Sequence, residues 1–97
     1  MIQDKIISDV ADFFGISASD ILSRRRVRRY VDARAVVCHL LCRTQGYSTT
    51  EAGKAINRDH ATVVYFNKKT LDWIRMPILN GKGYKAIREL EKRYDSN

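Results

Sequence analysis

The sequence predicts an all-α protein, a compact bundle of about six helices that contains a helix-turn-helix. Apolar residues recur three and four positions apart in several segments, as they do on one face of a helix. Two of the predicted helices begin with Ser-x-x-Asp or Ser-x-x-Glu, the pattern of a helix capping box. The chain has 97 residues and is 44% hydrophobic, which suits one core, so we expect a single domain over residues 1–97.

The first two predicted helices carry no functional pattern. Apolar residues at helical spacing over residues 2–14 predict an amphipathic helix that ends at Gly15. Ser17 and Asp20 predict a capped helix of one to two turns directly behind it. We interpret both helices as scaffold.

The basic segment from Ser23 to Val31 contains five arginines and no acid. The formal net charge of the chain is +7, and such an excess favours an anionic partner without choosing among DNA, RNA and lipid. Because five arginines would crowd all sides of a helix, we predict a loop between two helices. Arginine forks suit phosphate oxygens, so we interpret the loop as a DNA-backbone contact; a solvated charged surface or a localisation tract is the alternative. The predicted contacts are Arg24, Arg25, Arg26, Arg28 and Arg29.

The next helix is predicted to run from an N-cap at Asp32 to Gly46. Apolar residues cover most of its circumference, so we expect it to be the central helix of the bundle. Arg34 stands in its first turn, where the side chain could reach a DNA groove, a phosphate or a surface acid. Cys38 and Cys42 lie four residues apart on one helix face, and we interpret them as small apolar residues rather than as a disulfide or a metal site.

A helix-turn-helix is predicted from Ser48 onward. Ser48 and the acid three residues later form a capping pattern, and the short helix behind them carries Gly53, which allows another backbone to approach closely. A tight turn at residues 57–58 then leads to a longer helix over residues 59–76, which Pro77 ends.

The longer helix has two unlike halves when its residues are placed at 100° steps. One half is an apolar core stripe, and the other has short side chains first and lysines later. Short side chains allow the N-terminal end of the helix to enter a DNA groove, and the later lysines then lie near the phosphates. His60 projects toward the apolar half, so a capping or core role is the alternative to a DNA contact. The apolar half holds Val63, Val64, Phe66, Leu71, Trp73 and Ile74, and the outward half holds Ala61, Thr62, Tyr65, Lys68 and Lys69.

The last predicted helix closes the bundle within residues 77–97. A turn at residues 81–83 precedes it, and this Gly-Lys-Gly lacks the other residues of a phosphate-binding loop. The apolar stripe of the helix is Tyr84, Ile87, Leu90 and Tyr94.

Three motifs together resemble the C-terminal DNA-binding domain (domain IV) of the bacterial replication initiator DnaA. They are I-x2-V-A-x-F-F-G-I-S at residues 7–17, S-RRR-V-RR-Y-V-D-A-R at residues 23–34, and A-G-K-A-I-N-RDH-A-T-V-V-Y at residues 52–65. The resemblance covers residues 2–76 and implies a helical domain that binds short duplex sites, called DnaA boxes, through both grooves.

The resemblance also implies residue roles. Arg34 falls on the family's arginine that enters the minor groove. Departures from the family pattern leave the preferred DNA sequence open; among them, Ala61 replaces the first of two threonines, and Asp32 places an acid near the phosphates. The predicted major-groove residues are Arg58, Asp59, His60, Ala61 and Thr62. Further backbone contacts are predicted at Ser48, Thr49, Tyr65, Lys68 and Lys69.

We therefore expect sequence-specific binding of double-stranded DNA in replication initiation or its regulation. We expect no catalysis, cofactor, metal, small-molecule substrate or membrane, because no nucleophile motif, metal-ligand set or spanning segment is visible. We expect a monomer in the cytoplasm, associated with the nucleoid, with replication proteins as possible further partners. The alternatives are an adaptor that docks on replication proteins and a transcription regulator of a phage or mobile element. The ATPase module of DnaA is absent, and we expect a stand-alone protein rather than an excised domain.

Overall fold

The computed structural model describes residues 1–77 and 81–95, and this part of the chain forms six helices and no strand. The helices are α1 Ile2–Phe14, α2 Ala18–Leu22, α3 Arg28–Thr44, α4 Thr49–Ala55, α5 His60–Arg75 and α6 Gly81–Tyr94. The predicted all-α bundle is confirmed. Residues 78–80 and 96–97, which belong to the predicted closing segment, lie outside the described residues. Over the described ranges, no helix is both long and apolar enough to cross a membrane.

The α3 helix is the centre of the bundle, as predicted. It packs against each of the other five helices. Every residue from Ala33 to Leu41 is buried, which is the pattern expected of a helix enclosed by neighbours on all sides. Cys38 lies in this core, and burial raises the pKa of its thiol, so it packs as a neutral side chain.

The start of α3 differs from the prediction. The helix begins at Arg28 with Val27 as its N-cap, not at Asp32. Tyr30 is buried in the bundle, and this tertiary contact favours the helical conformation of the preceding residues. The backbone N–H of Tyr30 accordingly donates to the carbonyl of Val27 at 2.9 Å. Arg28 and Arg29 both occupy exposed positions of this first turn, so neighbouring arginines do not crowd the helix. The basic loop therefore contains only residues 23–27, and the predicted N-cap at Asp32 was wrong.

The predicted helix starts are confirmed at α2, α4 and α5. Ser17 and Ser48 each form a complete capping box, and Asp59 caps α5 by accepting a hydrogen bond from the backbone N–H of Thr62. The predicted caps at Ser17 and Ser48 depend on residues only three positions apart, which is why they can be predicted from the sequence; the cap at Asp59 was not predicted.

Gly53 has the predicted role in the helix-turn-helix. A methyl group at this position would collide with the carbonyl oxygen of Arg58. The same approach lets the N–H of Arg58 donate to the carbonyl of Gly53 at 2.8 Å. Asn57 between them has a φ of 60°, a left-handed conformation that asparagine tolerates better than most residues. The turn between α4 and α5 is therefore held close to α4.

The α6 helix begins earlier than predicted, at Gly81, so the predicted turn at residues 81–83 is part of the helix. Gly83 faces α5, where a Cβ atom would lie 2.6 Å from the ring of Trp73. On α5 itself the predicted core stripe needs two changes. Val64 is 40% exposed, whereas Thr70 is buried and donates its hydroxyl to the carbonyl of Asn67.

Candidate nucleic-acid interface

Two arginines from different elements donate to one carbonyl at the start of the basic loop. Nη2 of Arg34, on α3, donates to the carbonyl oxygen of Ser23 at 2.7 Å. Nη2 of Arg58, in the turn before α5, donates to the same oxygen at 2.6 Å. We call Ser23, Arg34 and Arg58 the carbonyl clasp. It fixes the first residue of the basic loop to both the central helix and the helix-turn-helix.

Arg34 also satisfies the C-terminal end of α2. Its Nε donates to the carbonyl of Ile21 at 2.7 Å, and Nη2 donates to the carbonyl of Asp20 at 3.0 Å. The last carbonyls of a helix have no partner within the helix and carry partial negative charge, so a guanidinium is well suited to them. Burial, with a smaller contribution from the charge of Arg58, lowers the pKa of Arg34.

The structure contradicts the minor-groove contact predicted for Arg34. Its side chain is directed into the protein and the residue is only 2% exposed. A side chain that enters a DNA groove must leave the protein surface, and here that would abandon three carbonyl oxygens. The position of Arg34 instead explains how the loop is held.

Arg58 is half-buried at the wall of the interface. Besides Ser23, its guanidinium donates to the carbonyls of Ile56 and Asn57 at 3.1 and 3.2 Å. Burial, followed by the charge of Arg24, lowers the pKa of Arg58. Among residues 1–77 and 81–95, no carboxylate forms an ion pair with either clasp arginine. The clasp therefore holds two cations close together without an internal counter-charge.

The first turn of α5 presents short side chains to solvent. One carboxylate oxygen of Asp59 accepts hydrogen bonds from the backbone N–H and the hydroxyl of Thr62, at 2.9 and 2.8 Å. These bonds hold the pKa of Asp59 below its usual range, so the cap is ionised at neutral pH. His60 and Ala61 are exposed beyond the cap, and Thr62 is half-buried. Because His60 is exposed and Asp59 is the cap, His60 has neither the core role nor the capping role that the sequence left open.

An open groove of about 1180 Å³ brings the basic loop and the helix-turn-helix together. Its walls come from the loop, α3, α4, the turn and α5. Two polar lining residues, Lys54 and Asn57, were not predicted as site residues, although Lys54 is a basic residue directly after Gly53; the other three unpredicted lining residues are Val31, Gly53 and Phe66. The predicted residues that line the groove are Arg24, Arg26, Arg34, Arg58, Asp59, Ala61, Thr62 and Tyr65.

The other predicted residues lie outside the groove lining. The guanidinium of Arg25 lies 5.6 Å from the ring centre of Tyr30, and Arg29 is exposed on the first turn of α3. Arg28 and Lys69 each form an ion pair with Asp32. The remaining four are His60 at the exposed start of α5, Ser48 as the exposed cap of α4, Thr49 half-buried in its first turn, and Lys68 exposed on α5.

Comparison with known proteins places this arrangement in a family. Residues 3–69 match the family described as the bacterial dnaA protein helix-turn-helix. The chain belongs to this family. It is 41% identical over 70 residues to the chromosomal replication initiator protein DnaA of Anaplasma marginale. These 70 residues are 71% of the chain and 14% of that relative. It is 24% identical over 98 residues to DnaA of Corynebacterium jeikeium, covering 100% of the chain and 16% of the relative.

A third DnaA relative, DnaA 1 of Chlamydia trachomatis, is 29% identical over 91 residues, which is 94% of the chain and 20% of the relative. The chain thus spans at most a fifth of the length of these three DnaA proteins. The DnaA family match includes the carbonyl clasp, the groove and most of α5, whereas α6 lies beyond it. A helix-turn-helix is a DNA-binding motif and not a catalytic one, so membership supports DNA binding by this chain.

Proposed function

We propose that this protein binds double-stranded DNA in a sequence-dependent manner, with the start of α5 in the major groove. The observation that carries the proposal is the shared groove, in which exposed groups of α5 lie beside the arginines of the basic loop. Base edges in the major groove are read by short polar and apolar side chains near a helix N-terminus, while arginines hold the phosphates on either side.

Base contact is assigned to the exposed end of α5. His60 supplies ring nitrogens for a hydrogen bond with a base edge, and the methyl group of Ala61 suits the methyl group of thymine. Thr62 donates two hydrogen bonds to one carboxylate oxygen of Asp59, and these bonds hold the first turn in place. The second carboxylate oxygen of Asp59 would accept a hydrogen bond from a base. Arg58 acts mainly by fixing the turn.

Backbone contact is assigned to the exposed cations around the groove. The family resemblance gave the contact with the DNA minor groove to Arg34. We assign this contact to Arg24 and Arg26 instead, because both are exposed and both line the groove of the protein. Arg34 acts through the loop as a positioning residue. The other proposed backbone contacts are Arg25, Arg28, Arg29, Lys54, Lys68, Lys69, Tyr65, Ser48 and Thr49.

The relatives support a proposal for the biological setting. They are chromosomal replication initiator proteins, so we place this chain in replication initiation or its regulation, at sites similar to DnaA boxes. Such a role places it in the cytoplasm with the nucleoid. We propose a monomer with DNA as its main partner, and replication proteins as further partners.

The test begins with selection of bound sequences from random duplexes, followed by affinity measurements with the selected duplex and a scrambled duplex. We expect His60→Ala to remove about 1 to 3 kcal/mol of discrimination between the two, which is a fivefold to 150-fold change. The scrambled duplex is the internal control, because phosphate contacts should keep its affinity unchanged. If His60→Ala binds the selected duplex as tightly as the original protein, base recognition by α5 is wrong, and an adaptor function becomes the better hypothesis.

A further inference from the structure

Asp32 lies between two of the cations assigned to DNA phosphates. One carboxylate oxygen is 3.4 Å from Nε of Arg28, and the other is 3.6 Å from Nζ of Lys69. The side chain of Asp32 is only 18% exposed, so this carboxylate belongs to the contact between α3 and α5. It is also the only acid between Ser23 and Arg34, a stretch that contains six arginines when Arg34 is counted.

Lys69 is the more strongly engaged of the two cations. Its side chain is 24% exposed, and its ammonium also lies 5.9 Å from the ring centre of Trp73. To reach a phosphate, Lys69 must give up the attraction of Asp32 and turn away from the ring. Arg28 is different, because its side chain is 84% exposed and needs only a change of side-chain torsion to leave Asp32.

The carboxylate is held by charge rather than by hydrogen bonds. Oδ1 of Asp32 is buried and accepts no hydrogen bond from any described residue, since 3.6 Å to Lys69 is too long for one. A buried acceptor without a hydrogen bond disfavours folding, so the acid is not explained by stability of the bundle alone. Its effect on the two cations is the more direct consequence of its position.

We propose that Asp32 is an intramolecular competitor of DNA phosphate that lowers the affinity of this face for DNA. This inference depends on the proposed function. A phosphate that binds Arg28 or Lys69 must displace Asp32, so these cations contribute less to the release of counterions than an equal number of free cations would. Because this contribution is independent of sequence, Asp32 weakens binding to the selected and to the scrambled duplex by a similar factor, so the base contacts of α5 make up a larger share of the remaining affinity.

The test compares Asp32→Asn with Asp12→Asn, using fluorescence anisotropy with the selected and the scrambled duplex over a series of salt concentrations. Asp12 is an exposed acid of α1, a helix that packs on α2, α3 and α6. Both variants therefore lose one negative charge, but only Asp32→Asn loses it at the interface. We expect Asp32→Asn to bind the scrambled duplex about fivefold to thirtyfold more tightly at physiological salt, with a salt slope steeper by about 1 to 2 units. Asp12→Asn should change neither by more than about twofold.

Lys69→Gln provides the second arm of the test. In the original protein it should reduce affinity only slightly, whereas in the Asp32→Asn background it should remove much of the gain. A purely structural ion pair would change the urea midpoint of unfolding without this dependence on background. If Asp32→Asn binds no more tightly than Asp12→Asn, or binds less tightly, the competition is refuted. If the original protein itself binds neither duplex, the proposed function fails first, and the two failures are thereby distinguished.

Discussion

The charged groups on two sides of this bundle are arranged in opposite ways. Where α1 meets α6, Asp9 pairs with Lys5 and Arg93 and accepts the hydroxyl of Tyr94. At the candidate interface, the clasp arginines face carbonyl oxygens and each other. Throughout residues 1–77 and 81–95, no carboxylate forms an ion pair with Arg24 or Arg26. On the α1–α6 side the cations share a carboxylate of the protein, whereas at the candidate interface they remain available to an external anion.

This difference indicates which charges serve the fold and which serve binding. The ion pair between Arg93 and Asp9 and the hydrogen bond from Tyr94 to Asp9 join α6 to α1, which are far apart in sequence, and they need no partner from outside. Burial lowers the pKa values of Arg34 and Arg58, and the charges of neighbouring arginines lower them further. Because the cations that line the groove have no carboxylate partner among the described residues, we expect an external anion to bind most favourably at this side of the molecule. Asp32 is an exception at the candidate interface, because its carboxylate forms ion pairs with Arg28 and Lys69, two cations assigned to DNA phosphates.

The largest expected effect comes from the buried arginine of the clasp. Arg34→Gln leaves carbonyl oxygens of Asp20, Ile21 and Ser23 buried with fewer donors, and we expect the free energy of unfolding to fall by about 2 to 4 kcal/mol. Urea denaturation followed by circular dichroism measures this change.

The same variant separates a positioning role from a phosphate contact. Because Arg34 is only 2% exposed, we expect the salt slope of DNA binding to be the same in the folded variant as in the original protein, even if the affinity for DNA falls. A slope that becomes shallower by about one unit, with unchanged stability, would show that Arg34 contacts phosphate directly.

The next largest effect should distinguish the two sides by DNA affinity. We expect Arg24→Gln combined with Arg26→Gln to weaken duplex binding by about thirtyfold at physiological salt, because two phosphate contacts are lost. Lys5→Gln combined with Arg93→Gln removes the same charge from the α1–α6 side and is the matched control. Equal losses of affinity for the two pairs would mean that total charge, not the groove, determines binding.

The smallest expected effect concerns pH and the α1–α6 side. The hydroxyl of Tyr94 and the nearby cations hold the pKa of Asp9 below its usual value of 3.8. Its contribution to stability is therefore complete above that value and is lost as the pH falls through the lower pKa of the folded state. Asp9→Asn should cost about 1 to 2 kcal/mol at neutral pH and make the acid-induced loss of stability less steep. An identical acid profile for both proteins, measured by urea denaturation from neutral pH to below pH 3, would contradict this role.

The sequence predicted those parts of the molecule that depend on near neighbours along the chain. The caps at Ser17 and Ser48 are local patterns, and the central position of α3 follows from apolar residues around most of its circumference. The close approach at Gly53 was also predicted, because glycine destabilises the interior of a helix and is typical of positions where a second backbone comes near.

The errors at the candidate site have a common cause, since they depend on residues distant in the sequence or on burial. Arg34 was assigned to the minor groove because the family resemblance places it on the arginine that enters that groove, but carbonyl oxygens at the end of α2 provide it with a buried set of partners. Arg28 was assigned to a loop because of its arginine neighbours, whereas the burial of Tyr30 extends the helix to include it. The ion pair between Asp32 and Lys69 joins α3 to α5 and leaves no local pattern in the sequence.

The most direct test of the central claim is the salt dependence of duplex binding by the unmodified protein. If the exposed cations of the basic loop, α3, α4 and α5 neutralise about six phosphates, the logarithm of the association constant should fall with the logarithm of salt concentration with a slope near −5. Fluorescence anisotropy with a labelled duplex measures this slope. A slope near −5 supports an interface formed by these cations, and affinity that does not change with salt would contradict it.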